Sequence, residues 1–242
     1  MEQVALNLAC GSRTSDRCVN IDWSIYLRLK RFPGAKYAMR VFLDPTRRAK
    51  YEAISGTTLV HDLRKGIPYP DCSVDVVYHS HFLEHLERQA AVRFLKEALR
   101  VLKCGGIHRI VVPDFEKLCQ SYLAHLSQCE TDPLSVPAHE NYIEAIVGQM
   151  VREEAVGTSL QSGFRRFFEN LLLGDARTRG EVHRWMYDRV SLVCLLERAG
   201  FRDIRVCSHS KSEIPNWDDI GLDTNEDGQE YMHGSCYIEC RK

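Results

Sequence analysis

The sequence has no paired cysteine motif, no long apolar run and almost no net charge, and each absence excludes a class of protein. Ten cysteines are present, but none forms a C-x-x-C pair, which argues against a zinc ribbon or a dithiol redox motif. We expect these thiols to be reduced. No apolar run approaches the roughly 18 residues that span a bilayer. The 32 Lys and Arg residues nearly balance the 33 Asp and Glu residues, so no general affinity for nucleic acid is expected.

The beginning of the chain also lacks the basic region and the apolar stretch of a secretory signal, which predicts a cytoplasmic protein. A length of 242 residues with 44% apolar residues is enough to bury a full core without disulfides or a structural metal. We therefore predict a single domain over residues 1–242.

Seven short apolar runs have the composition of β-strands that are covered on both faces. Helical spacing of apolar residues separates some of them, over residues 89–102 and again over 190–198. Strands that alternate with helices predict an α/β fold with a mainly parallel sheet, whose ligand lies at the carboxyl ends of the first strands. The predicted strands are residues 4–8, 18–22, 57–61, 74–78, 107–112, 204–207 and 235–240.

Residues 114–182 do not fit this alternation. Their helical apolar spacing, interrupted by Pro133 and Pro137, predicts a helical insertion that caps the carboxyl edge of the sheet. Charge is also segregated: residues 24–50 hold eight Lys or Arg and one acid, while residues 213–230 hold seven acids and no Lys or Arg. Both stretches are interpreted as solvated surfaces, with the alternative that the basic one holds an anionic acceptor.

A turn of small residues follows the first strand. A dinucleotide-binding turn would show G-x-G-x-x-G, whereas the corresponding positions here hold Ala9, Gly11 and Thr14, so a phosphate cradle is not expected. Gly11 still allows the backbone to approach a ligand closely. A nicotinamide dehydrogenase is therefore the least favoured kind of enzyme.

Carboxylates end the next two strands. Asp22 can accept hydrogen bonds from both hydroxyls of a ribose, and Asp62 is followed by Leu63, whose backbone N–H can bind an adenine edge. An Asp at such a position also commonly caps a turn. The residues alone leave both interpretations open.

Taken in order, these segments resemble the motifs of S-adenosylmethionine-dependent methyltransferases with the Rossmann-like seven-strand fold, of the methyltransferase type 11 kind. Ala9 stands where that family usually has glycine. The segments that carry the resemblance are LNLACGS (6–12), VNID (19–22), HDL (61–63), DVVYHSHFLEHL (75–86) and LRVLKCGG (99–106).

The resemblance implies a Rossmann-like seven-stranded, mostly parallel sheet with flanking helices and a helical insertion between strands 5 and 6. It also implies S-adenosyl-L-methionine as cofactor. The first turn would lie under its methionine part, Asp22 would bind the ribose, Asp62 and Leu63 the adenine, and the end of the fourth strand would face the methyl group. The expected cofactor-binding residues are Asn7, Ala9, Cys10, Gly11, Asp22, Asp62, Leu63, His79 and Ser80.

His81 is the preferred general base for an acceptor hydroxyl or ammonium, and His183 is the second choice, since a neutral imidazole suits this task near pH 7. His183 and Tyr187 stand where the chain leaves the insertion and are expected near the acceptor, whereas Trp185 and Met186 are expected in the core. The predicted acceptor is an O or N atom of a small molecule or a saccharide.

Two other functions stay open. Three imidazoles in seven residues, His79, His81 and His85, could serve a metal-dependent hydrolase. However, His79 and His81 alternate on an extended chain whereas His81 and His85 share a helical face, so the three converge only with a particular bend. No metal is expected. The other alternative is a non-catalytic cofactor-binding module that acts through a partner.

Overall fold

A computed structural model describes residues 3–30, 48, 51–149 and 183–242. Its centre is a seven-stranded sheet with the order β3-β2-β1-β4-β5-β7-β6. Neighbouring strands are parallel from β3 to β5, while β7 runs antiparallel to both β5 and β6. The strands are β1 Ala5–Leu8, β2 Val19–Asp22, β3 Leu59–Val60, β4 Val74–Ser80, β5 Leu102–Pro113, β6 Arg202–Cys207 and β7 Ser235–Arg241.

Each strand overlaps one of the seven predicted runs, and the predicted fold class is confirmed. The two strands that differ most in length from the prediction are β3, which is shorter, and β5, which is longer. β3 has only two residues. β5 begins at Leu102, which pairs with Val74 of β4, and the next pair is Ile107 with Val76. The residues around Gly105 and Gly106 therefore form an irregularity inside the strand. A Cβ added at Gly106 would come within 3.0 Å of Lys103 O and 3.1 Å of Asp75 O, so a side chain at this position would require these backbone atoms to move.

Helices flank the sheet, and within the described ranges none of them is long and apolar enough to cross a membrane. The predicted helices over 89–102 and 190–198 are observed as α2 and α5. The helices are α1 Ile25–Lys30, α2 Arg88–Val101, α3 Phe115–Thr131, α4 His139–Gln149, α5 Arg189–Ala199 and α6 Trp217–Ile220, with 3-10 turns at Leu63–Lys65, Leu83–His85 and Pro133–Ala138.

The two faces of the sheet bury separate apolar clusters. Alternate residues of a strand point to opposite faces, so Val77 of β4 joins the cluster under α2 and α5, while Val76 and Tyr78 join the one under α6. One stripe of α2, which includes Phe94 and Leu95, is buried against the first cluster. The parallel strands are therefore covered on both sides, as their apolar composition predicts.

The order of the strands reverses at β1. The chain builds β2 and β3 on one side of β1 and then crosses to place β4 on the other side, so that Leu8 is in register with both Ile21 and His79. In open α/β sheets, ligands bind beyond the carboxyl ends of the strands at such a reversal. The first turn, Asp22 and the end of β4 all lie at this edge.

A buried ion network attaches the segment between β6 and β7 to the sheet. Arg109 of β5 is 0% exposed, and its guanidinium lies 2.6 Å from Asp223 and 2.7 Å from Glu239. The hydroxyl of Tyr78 donates to Asp223 at 2.6 Å. The interpretation of residues 213–230 as a solvated acidic surface is therefore wrong at Asp223, which is buried because Arg109 neutralises it. Most of the basic stretch 24–50 lies outside the described residues.

The predicted insertion begins directly after β5. The side chain of Asp114 accepts hydrogen bonds from the backbone N–H groups of Glu116 and Lys117 and so caps α3. The described part of the insertion consists of α3, the turn Pro133–Ala138 and α4. Its remainder, 150–182, with the predicted apolar positions of residues 164–172, lies outside the described residues.

We predict that Arg109→Met lowers the free energy of unfolding by about 3–5 kcal/mol, because it leaves Asp223 and Glu239 buried without their cation. Urea unfolding followed by circular dichroism measures the change. Arg17→Met is the matched control: Arg17 pairs with Asp219 at 3.4 Å, but both side chains are more than half exposed, so its effect is expected below about 1 kcal/mol. Equal effects of the two variants would contradict the structural role given to Arg109.

Candidate functional site

The turn after β1 takes the backbone through two left-handed residues. Ala9 and Gly11 both have φ of 53°, a conformation that glycine adopts freely and that costs alanine about 1 kcal/mol. Alanine therefore replaces the usual glycine without changing the shape of the turn. A Cβ added at Gly11 would meet nothing within 4 Å, so there is open space beside the turn.

The side chain of Asn7 supports this turn by hydrogen bonds made in the interior of the molecule. Its amide nitrogen donates to the carbonyl of Arg13 and to Oδ1 of Asn20, both at 2.9 Å, and the residue is buried. Cys10 is also buried, and burial raises the pKa of its thiol to about 12. The prediction that both residues bind the cofactor is corrected for their side chains, which face the interior and shape the turn.

Arg13 connects the turn to the segment before β7, a contact that was not predicted from the sequence. Its guanidinium donates to the backbone carbonyls of Gly221, Leu222 and Thr224 and lies over the ring of Tyr231, 4.3 Å from the centroid. These partners are about two hundred residues away in the chain, so local patterning cannot reveal them.

Asp22 lies beside the turn at the end of β2. The backbone N–H of Trp23 donates to Oδ1 of Asp22 at 2.7 Å. Burial raises the pKa of this carboxyl, and hydrogen bonds from the amides of Trp23, Gly11 and Ser24 oppose the rise. The structure thus brings together Asp22 and Gly11, two of the predicted cofactor-binding residues.

Asp62 follows β3, the neighbour of β2, and caps the turn Leu63–Lys65. It accepts from the backbone N–H of Arg64 at 3.1 Å, and its two oxygens each lie 2.9 Å from the Arg64 guanidinium. These side-chain bonds are the main reason that the pKa of the carboxyl is lowered. The guanidinium of Arg64 is largely exposed, so it can move aside for a ligand. Asp62 is therefore a cap, and its adenine-binding role stays a prediction.

His79 does not face the open edge. Its imidazole is 0% exposed and packs edge-on against Phe82, Phe94 and His108, with ring centroids 5.1 to 6.0 Å apart. Burial lowers the pKa of this imidazole to about 3, which keeps it neutral. The prediction that it contacts the cofactor is corrected for the side chain, because position 79 points to the core face of β4. The next residue, Ser80, is half-buried on the opposite face.

His81 turns the chain out of β4 with φ of 48°. Its Nε2 lies 2.9 Å from Oγ of Ser235, and its Nδ1 lies 3.5 Å from Oε1 of Glu84. Burial is the main cause that lowers the pKa of His81 to about 4, and the charges of His183 and His85 add to it. His81 is thus neutral at pH 7.

Glu84 occupies the centre of this cluster. Its carboxylate is 0% exposed, and neither oxygen has a hydrogen-bond partner among the described residues. Burial raises its pKa to about 8. Nε2 of His85 lies 3.9 Å from Oε1 of Glu84, and the rings of His85 and His183 are 4.7 Å apart. His85 was considered from the sequence together with His79 and His81, and the cluster with Glu84 and His183 was not predicted, although the H-x-x-E-H spacing of residues 81–85 is a visible signal.

The chain leaving the insertion returns to this point, as predicted for His183. The backbone N–H groups of Arg184 and Trp185 donate to the carbonyl of Glu84 at 2.6 and 3.1 Å. Trp185 was predicted in the core, and this is wrong: it is 36% exposed, with the guanidinium of Arg88 lying 4.4 Å from its ring centroid. Met186 is half-buried, and Tyr187 is the residue that is buried.

The histidines of the hydrolase alternative do not converge. Nδ1 or Nε2 of His85 lies within 4.8 Å of ligand atoms of Glu84 and His183, while the imidazole of His79 lies in the core. The structure does not support a metal site built from His79, His81 and His85, because His79 points into the core whereas His81, beyond the end of β4, contacts Ser235 and Glu84.

Sequence comparison finds similarity to methyltransferases over part of the chain. A family profile described as a methyltransferase domain matches residues 34–110. A Mycolicibacterium smegmatis protein named "Probable S-adenosylmethionine-dependent methyltransferase" is 33% identical over a 93-residue alignment that covers 34% of this chain and 35% of that protein. The chain thus matches about a third of the length of this curated relative.

Solved structures of low sequence identity are also similar. A SAM dependent methyltransferase from Archaeoglobus fulgidus is 14% identical with a TM-score of 0.43, covering 99% of this chain and 86% of the other. One from Aquifex aeolicus is 12% identical with a TM-score of 0.39, covering 99% and 81%. Scores this low do not distinguish functions.

We predict that Asn7→Ala lowers the free energy of unfolding by about 1–3 kcal/mol, because the carbonyl of Arg13 and Oδ1 of Asn20 lose a buried donor. Urea unfolding measures it. Ser55→Ala is the control, since it removes only an exposed hydroxyl contact with Thr57 and is expected to change stability by less than about 0.5 kcal/mol. An unchanged midpoint for Asn7→Ala would show that the turn does not depend on this amide.

Proposed function

We propose that this chain, which shares its ordered sequence motifs with the S-adenosylmethionine-dependent methyltransferases, transfers a methyl group from S-adenosyl-L-methionine to an O or N atom of a small-molecule or saccharide acceptor. The observation that supports this most is the grouping of the Ala9–Gly11 turn, Asp22 and Asp62 at neighbouring strand ends, where the strand order reverses. The open space at Gly11 lies at the same edge.

The residues present at this edge fit the cofactor. Asp22 offers carboxylate oxygens to ribose hydroxyls, and Leu63 offers a backbone N–H beside Asp62 to an adenine. A nucleoside without a diphosphate needs no glycine-rich phosphate turn, which agrees with the absence of G-x-G-x-x-G. The cofactor, when bound, supplies an electrophilic methyl group on a sulfonium. Asn7 and Cys10 support the turn through the interior.

The chain itself has to align the two reactants and exclude water. Alignment of reactants supplies up to about 7–11 kcal/mol of a barrier in well-oriented cases. We assign this task to the insertion 114–182 as a substrate cap, because α3 starts at Asp114, immediately after β5 reaches the carboxyl edge.

His81 is placed to accept a proton from an acceptor hydroxyl or ammonium. It follows β4 directly at the carboxyl edge, it is partly exposed and it is neutral at pH 7. His183 lies on the other side of Glu84 and His85, and we assign it a place in the acceptor site. A carboxylate or thiolate acceptor would need no base, and His81 would then position it.

We also place the protein in the cytoplasm. All ten cysteines are free, which suits a compartment that keeps thiols reduced.

The cofactor assignment is tested by calorimetric titration with S-adenosylhomocysteine. We expect Asp22→Ala to weaken binding by roughly 10- to 100-fold, the equivalent of a lost charged hydrogen bond. Asp62→Ala is expected to weaken it as well. Asp16→Ala is the control, an exposed acid in the loop before β2, and should bind like the wild type. Absence of binding to the wild type would overturn the proposed function.

The role of His81 is tested with His81→Asn, because asparagine tolerates the left-handed backbone of this position. We expect kcat to fall by roughly 10²- to 10⁴-fold for an alcohol or amine acceptor found by screening for S-adenosylhomocysteine release. His233→Asn changes a fully exposed imidazole and should leave kcat unchanged. Cofactor binding without turnover on any acceptor would favour the non-catalytic binding module instead.

A further inference from the structure

The acceptor side of the proposed site holds three potential metal ligands from two distant segments. Ligand atoms of Glu84, His85 and His183 all lie within 4.8 Å of one another. The turn Leu83–His85 supplies two of them, and the chain returning from the insertion supplies the third. The backbone hydrogen bond from Arg184 to Glu84, 2.6 Å long, keeps the two segments together.

The carboxylate of Glu84 is the unusual member of this group. A carboxylate that is buried without a partner is costly, yet Glu84 is 0% exposed and accepts no hydrogen bond from the residues that the structure describes. The imidazole nitrogens of His81 and His85 lie 3.5 and 3.9 Å from Oε1 of Glu84. A cation held between these groups would give the carboxylate the partner that it lacks.

The protons of the neighbouring imidazoles can be assigned from their other contacts. Oγ of Ser235 donates to the carbonyl of Met232 at 2.6 Å, so it accepts from Nε2 of His81, and Nδ1 of His81 keeps a lone pair. That lone pair lies 3.5 Å from Oε1 of Glu84. Two acceptors therefore face each other, and either a proton or a cation has to lie close to them.

His183 has the arrangement of a metal-ligating histidine. Its Nδ1 lies 3.1 Å from the backbone carbonyl of Gln149, and since a carbonyl only accepts, Nδ1 carries the proton. Nε2 then keeps the lone pair. A ligating histidine generally donates its other ring N–H to a carbonyl or carboxylate, which fixes the tautomer and the ring orientation.

We propose that Glu84, His85 and His183 bind one divalent first-row transition ion of the zinc type. One carboxylate and two imidazoles suit Zn²⁺, whereas Mg²⁺ and Ca²⁺ prefer all-oxygen sites. Bonds of about 2.0–2.1 Å place tetrahedral ligand atoms about 3.3 Å apart. The 3.9 Å between His85 and Glu84 has to shorten by only about 0.6 Å to reach that spacing. This site differs from the sequence prediction, which expected no metal.

Three protein ligands leave a fourth position for water or for an acceptor oxygen. Nδ1 of His81, with its lone pair, lies 3.5 Å from Oε1 of Glu84, one of the proposed ligands. An oxygen bound to a divalent ion is more acidic than a free one, so an alcohol acceptor would give up its proton to His81 more readily. This acceptor role rests on the proposed function, whereas the ion site rests only on the geometry.

The insertion contains a second group of potential metal ligands, made of histidine and cysteine, and the experiment has to distinguish it from the Glu84 site. Ligand atoms of His125, Cys129 and His139 also lie within 4.8 Å of one another. They contact each other, with 3.1 Å between the Nδ1 atoms of His125 and His139. This group lacks an unpartnered buried carboxylate, and it provides a matched control.

The experiment is a calorimetric titration of the chelator-treated full chain with Zn²⁺. We expect one tight binding event in the wild type, weakened roughly 100-fold or more in Glu84→Gln and in His183→Ala, because each removes a ligand. His139→Ala should keep that event. The second variant, His183→Ala, changes a half-buried residue, so the test does not depend on how Glu84→Gln folds.

Co²⁺ provides a second readout. Bound by one oxygen and two nitrogens, it is expected to show visible ligand-field bands without a thiolate charge-transfer band. The proposal would be overturned by a thiolate band, by a loss of binding in His139→Ala, or by no Zn²⁺ binding to the wild type. In the last case a proton on the Glu84 carboxyl, and not an ion, would occupy the space beside it. Titration with S-adenosylhomocysteine keeps the two proposals distinct, since Glu84→Gln should still bind it like the wild type.

Discussion

The position of β1 between β2 and β4 is the constraint on which the site depends. Both neighbours are parallel to β1 and in register with Leu8, so the loops that leave these strands come out at one edge. That pairing brings the turn at Gly11, the carboxyl of Asp22 and the end of β4, which His81 follows, to the same edge of the sheet. The side chain of Asp22 contacts the Gly11 turn there, whereas His81 contacts Ser235 and Glu84.

Buried charge ties the later part of the chain to this edge. Arg109 holds Asp223 and Glu239 inside the molecule, and the segment that contains Asp223 presents its carbonyls to Arg13. Arg13 itself follows the first turn, and its backbone carbonyl accepts the hydrogen bond from Asn7 that supports this turn. The shape of the first turn is thus set partly by residues near the other end of the described chain.

The positions of the strands, of α2 and α5, and of the sheet edge where polar residues gather could be predicted from the sequence, because local apolar patterns and the ordered motifs determine them. The sequence did not predict the direction of a side chain that could point to either face of the sheet. His79 and Asn7 lie in recognisable motifs, but both faces of β1 and β4 are buried, so period-two alternation does not say which side chains are enclosed in the core and which reach a ligand. Arg109 lies 114 residues from Asp223 in the sequence, and His183 lies about a hundred residues from Glu84, so local patterns revealed neither the ion pair of Asp223 nor the cluster around Glu84.

The hydrogen bonds from Arg13 to the carbonyls of Gly221, Leu222 and Thr224 also have a consequence for folding during synthesis. The motif that opens the chain emerges from the ribosome early, yet its guanidinium finds these acceptors only after the segment 208 residues downstream has been made. Until then the turn has its local contacts, such as the one between Asn7 and Asn20, but not those of Arg13 with residues 221–224. The first turn is therefore synthesised well before the last of its contacts can form.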